Sequence, residues 1–111
     1  MTTSKNLTSI AEFYKTDKFE HGYTKVYEKY FESIRDKNLK ILEIGIADGG
    51  SLLTWSDYFK NSTIVGVDIH KIDIKDKKLD RDNISVHQGS QSDEKFINEI
   101  TNKYKNFDII I

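Results

Sequence analysis

The sequence predicts an α/β fold built on a parallel β-sheet and preceded by a helical N-terminal segment. Three observations favour it: apolar runs typical of buried strands, a glycine-rich turn directly after the first run, and amphipathic stretches between the runs. With 111 residues, of which 37% are hydrophobic and 32% charged, the chain has the size and composition of one small globular domain. We divide it into a helical segment at 1–38 and a sheet-containing part at 39–111.

In the N-terminal segment, apolar residues recur at helical spacing in two stretches, Ile10–Tyr14 and Val26–Ile34, with a polar loop between them. Beyond residue 38 the pattern changes to alternating strands and helices. The predicted strands are 41–46, 63–68, 84–87 and 107–111, in the spatial order 3-2-1-4 with helices on both faces. The last strand has no following helix to cover it, so we expect an incomplete domain, truncated after strand four.

Two serines are predicted to begin helices. Ser51 is placed to cap the helix after the glycine turn, whose buried face is Leu52, Trp55 and Phe59. Ser92 is placed to cap the last helix in the same way.

Composition excludes several classes of site. The chain has no cysteine, which excludes disulfides, thiolate metal sites and cysteine nucleophiles. Its three histidines lack ligand spacing, so we expect no metal site within the chain. A net charge of −1 gives no reason to expect a nucleic acid partner, and no apolar run is long enough to span a membrane. We expect a cytoplasmic protein.

The glycine-rich turn after the first strand carries most of the functional information. Gly45, Gly49 and Gly50 lack side chains that would block a ligand from the backbone at the start of a helix. Glu43, just before them, suits the positive amine of a cofactor and would repel a pyrophosphate. Asp68 ends the second strand about 20 residues beyond the glycines, where an acid accepts hydrogen bonds from ribose hydroxyls. Together these residues favour an adenosyl cofactor over a dinucleotide site or a purely structural turn.

The run from Glu43 to Gly50, with Val67-Asp68, resembles the first two motifs of class I S-adenosylmethionine-dependent methyltransferases. The chain is also similar to the macrolide-sugar O-methyltransferases of the demethylmacrocin type. That closer likeness is carried by Thr16-Asp17-Lys18, His21-Gly22-Tyr23, Tyr27-Glu28 and Gln88–Asp93.

This resemblance implies a Rossmann-like sheet, S-adenosylmethionine as cofactor and a small sugar-bearing molecule as methyl acceptor. The uncovered last strand also fits one half of a homo-oligomer. Glu43 would then hold the methionine amine, Gly45 would underlie it, and Asp68 would bind the ribose. The adenine would lie beside Gly89, Ser90 and Gln91, with Ser90 replacing an acid found in many such enzymes. The resemblance also implies a Mg²⁺ ion, held by catalytic residues that follow strand four in the family and lie outside this sequence.

The polar loop between the two helical stretches is part of the likeness. It is expected to cover the cofactor, with Thr16 and Lys18 among the binding residues. Two alternatives stay open. Gly45, Ala47 and Gly50 also fit a loose dinucleotide-binding pattern, as in a fragment of an NAD(P)-dependent oxidoreductase. The chain could also be a non-catalytic remnant.

Overall fold

A computed structural model of the protein describes residues 6–14, 23–47 and 49–111. The helices are α1 (Leu7–Tyr14), α2 (Tyr23–Phe31), α3 (Gly50–Tyr58) and α4 (Glu94–Tyr104), with a 3₁₀ turn at Glu32–Ile34. The strands are β1 (Lys40–Ile44), β2 (Thr63–Asp68), β3 (Ile84–Gln88) and β4 (Ile109–Ile110). All pairs are parallel and the spatial order is β3-β2-β1-β4, which confirms the predicted fold class and strand order.

Side-chain alternation along the strands divides the core into two layers. Ile41 and Ile64 face α1 and α3, whereas Leu42 and Val65 face the opposite side, where Ile100 of α4 covers them. Because successive side chains of a strand point to opposite faces, each central strand contributes to both layers. Helices therefore cover both faces of the sheet, as predicted.

The N-terminal helices pack on the same core as the sheet. Leu7 and Ile10 of α1 are buried in the cluster that contains Trp55 of α3. From α2, Tyr27 and Phe31 each pack on the Trp55 ring in a T-shaped arrangement, with centroid separations of 5.9 Å. Residues 7–14 and 23–31 thus form one layer with α3.

The largest differences from the predicted strand boundaries are in the first and last strands. The first strand ends at Ile44, not Ile46, because Gly45 has a φ of +88° that takes the chain out of the extended conformation. Ile46 is still buried, in the turn that follows. At the other end of the sequence, β4 is only Ile109–Ile110, although the amide of Ile111 still donates to Leu42.

Both predicted serine caps are wrong. Helix α3 is capped by Gly49, with a φ of +89°, because the Ser51 hydroxyl is already bonded to Glu43. Helix α4 is capped by Asp93, whose side chain accepts a 3.3 Å hydrogen bond from the amide of Phe96. An aspartate is as good an N-cap as a serine, and here it lies one residue closer to the helix.

Candidate functional site

The candidate site is a cleft at the carboxyl ends of β1, β2 and β3. Its volume is about 200 Å³, smaller than the roughly 300–1,000 Å³ of most small-molecule sites, so it would enclose part of a nucleoside-sized ligand. We call it the strand-end cleft. Its lining residues are Ile44, Gly45, Val67, Asp68, Ile69, Gly89, Ser90, Gln91 and Ser92. Five of the predicted site residues are therefore together: Gly45, Asp68, Gly89, Ser90 and Gln91.

Gly45 gives the cleft an open backbone wall. Its amide donates a 2.8 Å hydrogen bond to the carbonyl of Val67, which ties the turn to the tip of β2. A Cβ at this position would find no protein atom within 4 Å, so it would project into open space. Together with the φ of +88°, this explains why glycine occupies the position and why a ligand could approach the backbone closely here.

Gly49 and Gly50 are not among the lining residues. Gly49 caps α3, and a Cβ there would come within 3.2 Å of the side chain of Leu79, which packs beneath the turn. Gly50 is buried at the first position of α3. These two glycines shape the connection from β1 to α3, and their predicted contact with a cofactor stays a prediction.

Asp68 lies at the tip of β2, with its carboxylate held by backbone donors. One oxygen accepts from the amide of Ile46 at 2.8 Å and the other from the amide of His70 at 2.8 Å. These bonds, that from His70 above all, lower the pKa of Asp68 below its ordinary value of 3.8. The carboxylate is thus ionised at neutral pH, and each oxygen retains acceptor capacity for a hydroxyl.

The third side of the cleft follows β3. The amide of Gly89 donates to the carbonyl of Asp68 at 2.8 Å, which brings the ends of β2 and β3 together. A Cβ on Gly89 would lie only 2.5 Å from the ring of Phe96, so the helix packs too closely for any side chain. The Ser90 hydroxyl accepts from the amide of Ser92 at 3.1 Å, which orders the short turn that forms this wall.

Glu43 has different surroundings from those expected. Its side chain is fully buried, and its two carboxylate oxygens accept hydrogen bonds from the Ser51 hydroxyl and from the Trp55 indole N–H, the latter at 2.7 Å. The physical reason is strand alternation: Glu43 lies on the same face of β1 as Ile41, which is the face that α3 covers. The carboxylate is therefore aimed at α3, and Glu43 is not among the residues that line the strand-end cleft.

Ile69 is a cleft residue that the sequence reasoning missed. It follows Asp68 directly, lines the cleft and is 62% exposed, although it is a large apolar side chain. A single exposed apolar side chain is ordinary on a protein surface and usually has no function. Ile69 differs because it lines the same cleft as the Asp68 carboxylate. The signal available in the sequence was an isoleucine placed just beyond the strand-ending acid, where the chain has already turned polar.

Thr16 and Lys18 lie outside the described residues. Among the residues that are described, no group of three or more His, Cys, Asp or Glu side chains could hold a metal ion. Within that same part of the chain, no helix is long and apolar enough to cross a membrane.

Comparison with known proteins shows which proteins this chain resembles. The chain is 34% identical over 116 residues to mycinamicin VI 2''-O-methyltransferase of Micromonospora griseorubida, covering 96% of this chain. It is 31% identical over 116 residues to demethylmacrocin O-methyltransferase of Streptomyces fradiae, again over 96% of the chain. The protein is a homologue of macrolide and sugar O-methyltransferases. This confirms the family resemblance drawn from the sequence.

The fold of this methyltransferase homologue agrees with that relationship. A solved structure of the MycE methyltransferase, in complex with Mg, SAH and mycinamycin VI, superposes with a TM-score of 0.79 at 30% identity. It covers 97% of this chain. A comparison with protein-family models gave no match.

The homologue spans only part of the length of these relatives. The matched region is 28% of each of the two curated enzymes and 27% of the MycE chain. The comparisons do not favour the oxidoreductase alternative.

Proposed function

We propose that the strand-end cleft binds S-adenosylmethionine and that the protein serves an O-methyltransferase reaction. One observation carries the proposal. An ionised carboxylate, that of Asp68, lies in the same small cleft as an exposed apolar side chain and an unobstructed glycine backbone. A nucleoside presents two hydroxyls and a flat apolar base, and these three features match those needs.

In this proposal each wall of the cleft takes one part of the cofactor. Asp68 accepts hydrogen bonds from the ribose hydroxyls, because its oxygens are fixed by backbone amides and keep free acceptor capacity. Ile69 packs against the base, while Ser90 and Gln91 offer polar groups to its nitrogen edge. Gly45 leaves room for the methionine part of the cofactor to pass close to the backbone.

The predicted roles of the remaining residues rest on the sequence. Gly49 and Gly50 maintain the turn whose backbone faces the cofactor, and Gly89 permits the close approach of α4 that closes the adenine side. Thr16 and Lys18 are proposed to cover the cofactor from the N-terminal loop, on the strength of the family likeness. Glu43 was predicted to hold the methionine amine; because both of its carboxylate oxygens are bonded to α3, its proposed contribution to this side of the site is indirect.

The chemistry proposed is methyl transfer to a hydroxyl oxygen. S-adenosylmethionine carries a methyl group on a positively charged sulfur. As the acceptor oxygen bonds to this methyl carbon, the sulfur–methyl bond breaks and its electron pair stays on sulfur, which gives neutral S-adenosylhomocysteine; the hydroxyl proton passes to water. The residues of this chain contribute by holding and orienting the cofactor, which lowers the entropic cost of bringing the two reactants into line.

The finer statements are proposals drawn from the relatives. We propose a small sugar-bearing molecule as acceptor, since two of the relatives are named as O-methyltransferases of mycinamicin VI and of demethylmacrocin. A Mg²⁺ ion, present in the MycE complex, would assist by lowering the pKa of the hydroxyl. Its ligands are proposed to lie outside this chain. We also propose a cytoplasmic location and self-association of the protein. We propose no membrane or nucleic acid partner.

Isothermal titration calorimetry with S-adenosylhomocysteine and, separately, with NAD⁺ tests the proposal. We expect S-adenosylhomocysteine to bind and NAD⁺ to bind at least tenfold more weakly, a difference of about 1.4 kcal/mol. An Asp68→Ala variant should lose the S-adenosylhomocysteine signal. Tighter binding of NAD⁺ would favour the oxidoreductase alternative, and no binding of either ligand would favour the non-catalytic remnant.

A further inference from the structure

The buried carboxylate of Glu43 joins the end of β1, which borders the strand-end cleft, to the start of α3. We propose that Glu43, Ser51 and Trp55 form a positioning group that fixes the start of α3 to the end of β1. In this arrangement Glu43 supports ligand binding through the turn between these elements, instead of contacting the ligand amine itself. The inference rests on the proposed function, because its consequence is an effect on cofactor affinity.

The geometry of the three residues makes the carboxylate a bridge. Glu43 is the last residue but one of β1, and Ser51 is the second residue of α3. Trp55 is one helical turn beyond Ser51, so both donors lie on the same face of α3. Each donor has its own carboxylate oxygen: Ser51 bonds Oε1 and the indole N–H bonds Oε2 at 2.7 Å. The Glu43 side chain thus connects the strand before the glycine turn to the helix after it.

The chemistry of burial indicates a role beyond stability. A fully buried carboxylate is costly to remove from water, even when it is hydrogen bonded. An apolar residue of similar volume usually stabilises a core as well as a buried charged network or better. The contribution of Glu43 in this position is therefore better explained by the geometry it imposes than by the stability it adds.

The turn that Glu43 closes is the one that forms the wall of the cleft. Within it, the amide of Gly45 bonds to Val67 and the amide of Ile46 bonds to the carboxylate of Asp68. A movement of the start of α3 relative to β1 would shift these amides. The cleft wall and the orientation of Asp68 would change together, and ligand affinity would fall although Ser51 and Trp55 do not line the cleft.

The test compares the removal of one hydroxyl at two buried serines. Ser51→Ala deletes the bond to Glu43. Ser62→Ala deletes a buried hydroxyl that bonds the amide of Leu39 at 3.0 Å and the carbonyl of Lys37 at 2.9 Å, near the opposite end of β1. We expect Ser51→Ala and Trp55→Phe to weaken S-adenosylhomocysteine binding at least about fivefold, and Ser62→Ala to leave it unchanged.

A double-substitution cycle and one spectrum separate positioning from direct contact. If Glu43 acts through its partners, Glu43→Gln combined with Ser51→Ala should lose less affinity than the sum of the single losses. Trp55 is the only tryptophan, so its single indole N–H signal in a ¹H–¹⁵N spectrum should move upfield in Glu43→Gln. Thermal melts identify any variant that fails to fold, and Ser51→Ala is the mildest of the set.

The outcomes distinguish this inference from the proposed function. If Glu43→Gln loses affinity while Ser51→Ala and Trp55→Phe bind as tightly as the unmodified protein, Glu43 contacts the ligand directly and the inference is wrong. The same holds if none of the three changes affects binding. If the unmodified protein does not bind S-adenosylhomocysteine, the proposed function fails, and this inference fails with it.

Discussion

The carboxylate of Asp68 accepts a 2.8 Å hydrogen bond from the backbone N–H of Ile46, so the tip of β2 is joined directly to the turn after β1. The second oxygen is bonded by the amide of His70, also at 2.8 Å. Both carboxylate oxygens accept from backbone N–H groups. If either oxygen were replaced by an N–H donor, two N–H groups would face each other without an acceptor between them. The cleft wall and its acid are therefore one hydrogen-bonded unit.

Replacing this acid by its amide should damage both folding and binding. In Asp68→Asn the side-chain NH₂ would face the N–H of Ile46 or of His70. We expect the free energy of unfolding to fall by about 1–3 kcal/mol, the cost of an unsatisfied donor. S-adenosylhomocysteine affinity should fall at least tenfold. Urea titrations and calorimetry check the two effects; an asparagine variant with unchanged affinity would exclude Asp68 as a ligand residue.

The lowered pKa of Asp68 also predicts a dependence of stability on pH. Because the pKa is lower in the folded protein than in the unfolded chain, the unfolded state binds more protons in the acid range. The stability that Asp68 contributes is complete well above pH 3.8 and is lost as the pH falls below that value. Unfolding curves from pH 6 to about pH 3 should fall more steeply for the unmodified protein than for Asp68→Asn. Parallel curves would contradict this assignment.

An added methyl group at Gly45 should distinguish the cost of backbone strain, which lowers stability, from steric blocking of the ligand, which lowers affinity. Gly45→Ala places an L-residue at a φ of +88°, which should cost about 1–2 kcal/mol of stability. The Cβ meets no protein atom within 4 Å and would project into the cleft, so ligand affinity should fall further than stability alone explains. Calorimetry at a temperature where the variant is folded measures this. An affinity equal to that of the unmodified protein would show that the ligand does not pass this backbone.

A second polar cluster provides a prediction in which stability and binding separate. The Tyr14 hydroxyl bonds Asp57, and Arg81 bonds both of them, at 2.9 Å and 2.7 Å. Asp57 lies near the end of α3, away from the glycine turn at its start. Tyr14→Phe should therefore lower the free energy of unfolding by about 1 kcal/mol, a value limited by the partial exposure of Arg81 and Asp57.

The control for this variant is its ligand affinity. S-adenosylhomocysteine should bind Tyr14→Phe as it binds the unmodified protein, because the cluster does not contact the cleft wall. A clear loss of affinity at unchanged stability would reveal coupling from this cluster to the site that the geometry does not predict.

His87 predicts a loss of stability in mild acid. Its Nε2 lies 2.6 Å from the Tyr104 hydroxyl, and burial, with a smaller effect of the charge of Lys103, lowers its pKa below 6.5. The unfolded chain therefore takes up a proton at a higher pH than the folded protein does, so stability falls as the pH drops below 6.5. Unfolding between about pH 7.5 and pH 5.5 should show this decline, and His87→Gln should reduce it.

Much of the site could be predicted because parallel strands end at one edge of a sheet. Once Gly45, Asp68 and Gly89 were recognised as the residues after or at the ends of three neighbouring strands, their convergence followed. The prediction for Glu43 was incomplete because it considered distance along the chain and not the face of the strand. Because side chains alternate along a strand, Glu43 lies on the same face of β1 as Ile41. That face is covered by α3, where the indole N–H of Trp55 requires an acceptor.

Other features could not be derived from sequence pattern alone. Ser51 and Ser92 are good helix caps in isolation, but in the folded chain the Ser51 hydroxyl bonds Glu43, and Asp93 caps the helix next to Ser92. The exclusion of any side chain at Gly89 depends on the distance to Phe96, which is set by how α4 packs on the sheet. The role of Ile69 emerges only when the cleft is seen to have a polar and an apolar wall.

The most direct test of the central claim is to locate the bound ligand by ¹H–¹⁵N NMR. Addition of S-adenosylhomocysteine should shift the amide signals of Gly45, Ile69 and Ser90, which line the strand-end cleft, and leave that of Ser62 near the opposite end of β1 unchanged. Saturable shifts confined to the cleft are the predicted result. Shifts elsewhere, or none at a saturating concentration, would contradict the assignment of this cleft to S-adenosylmethionine.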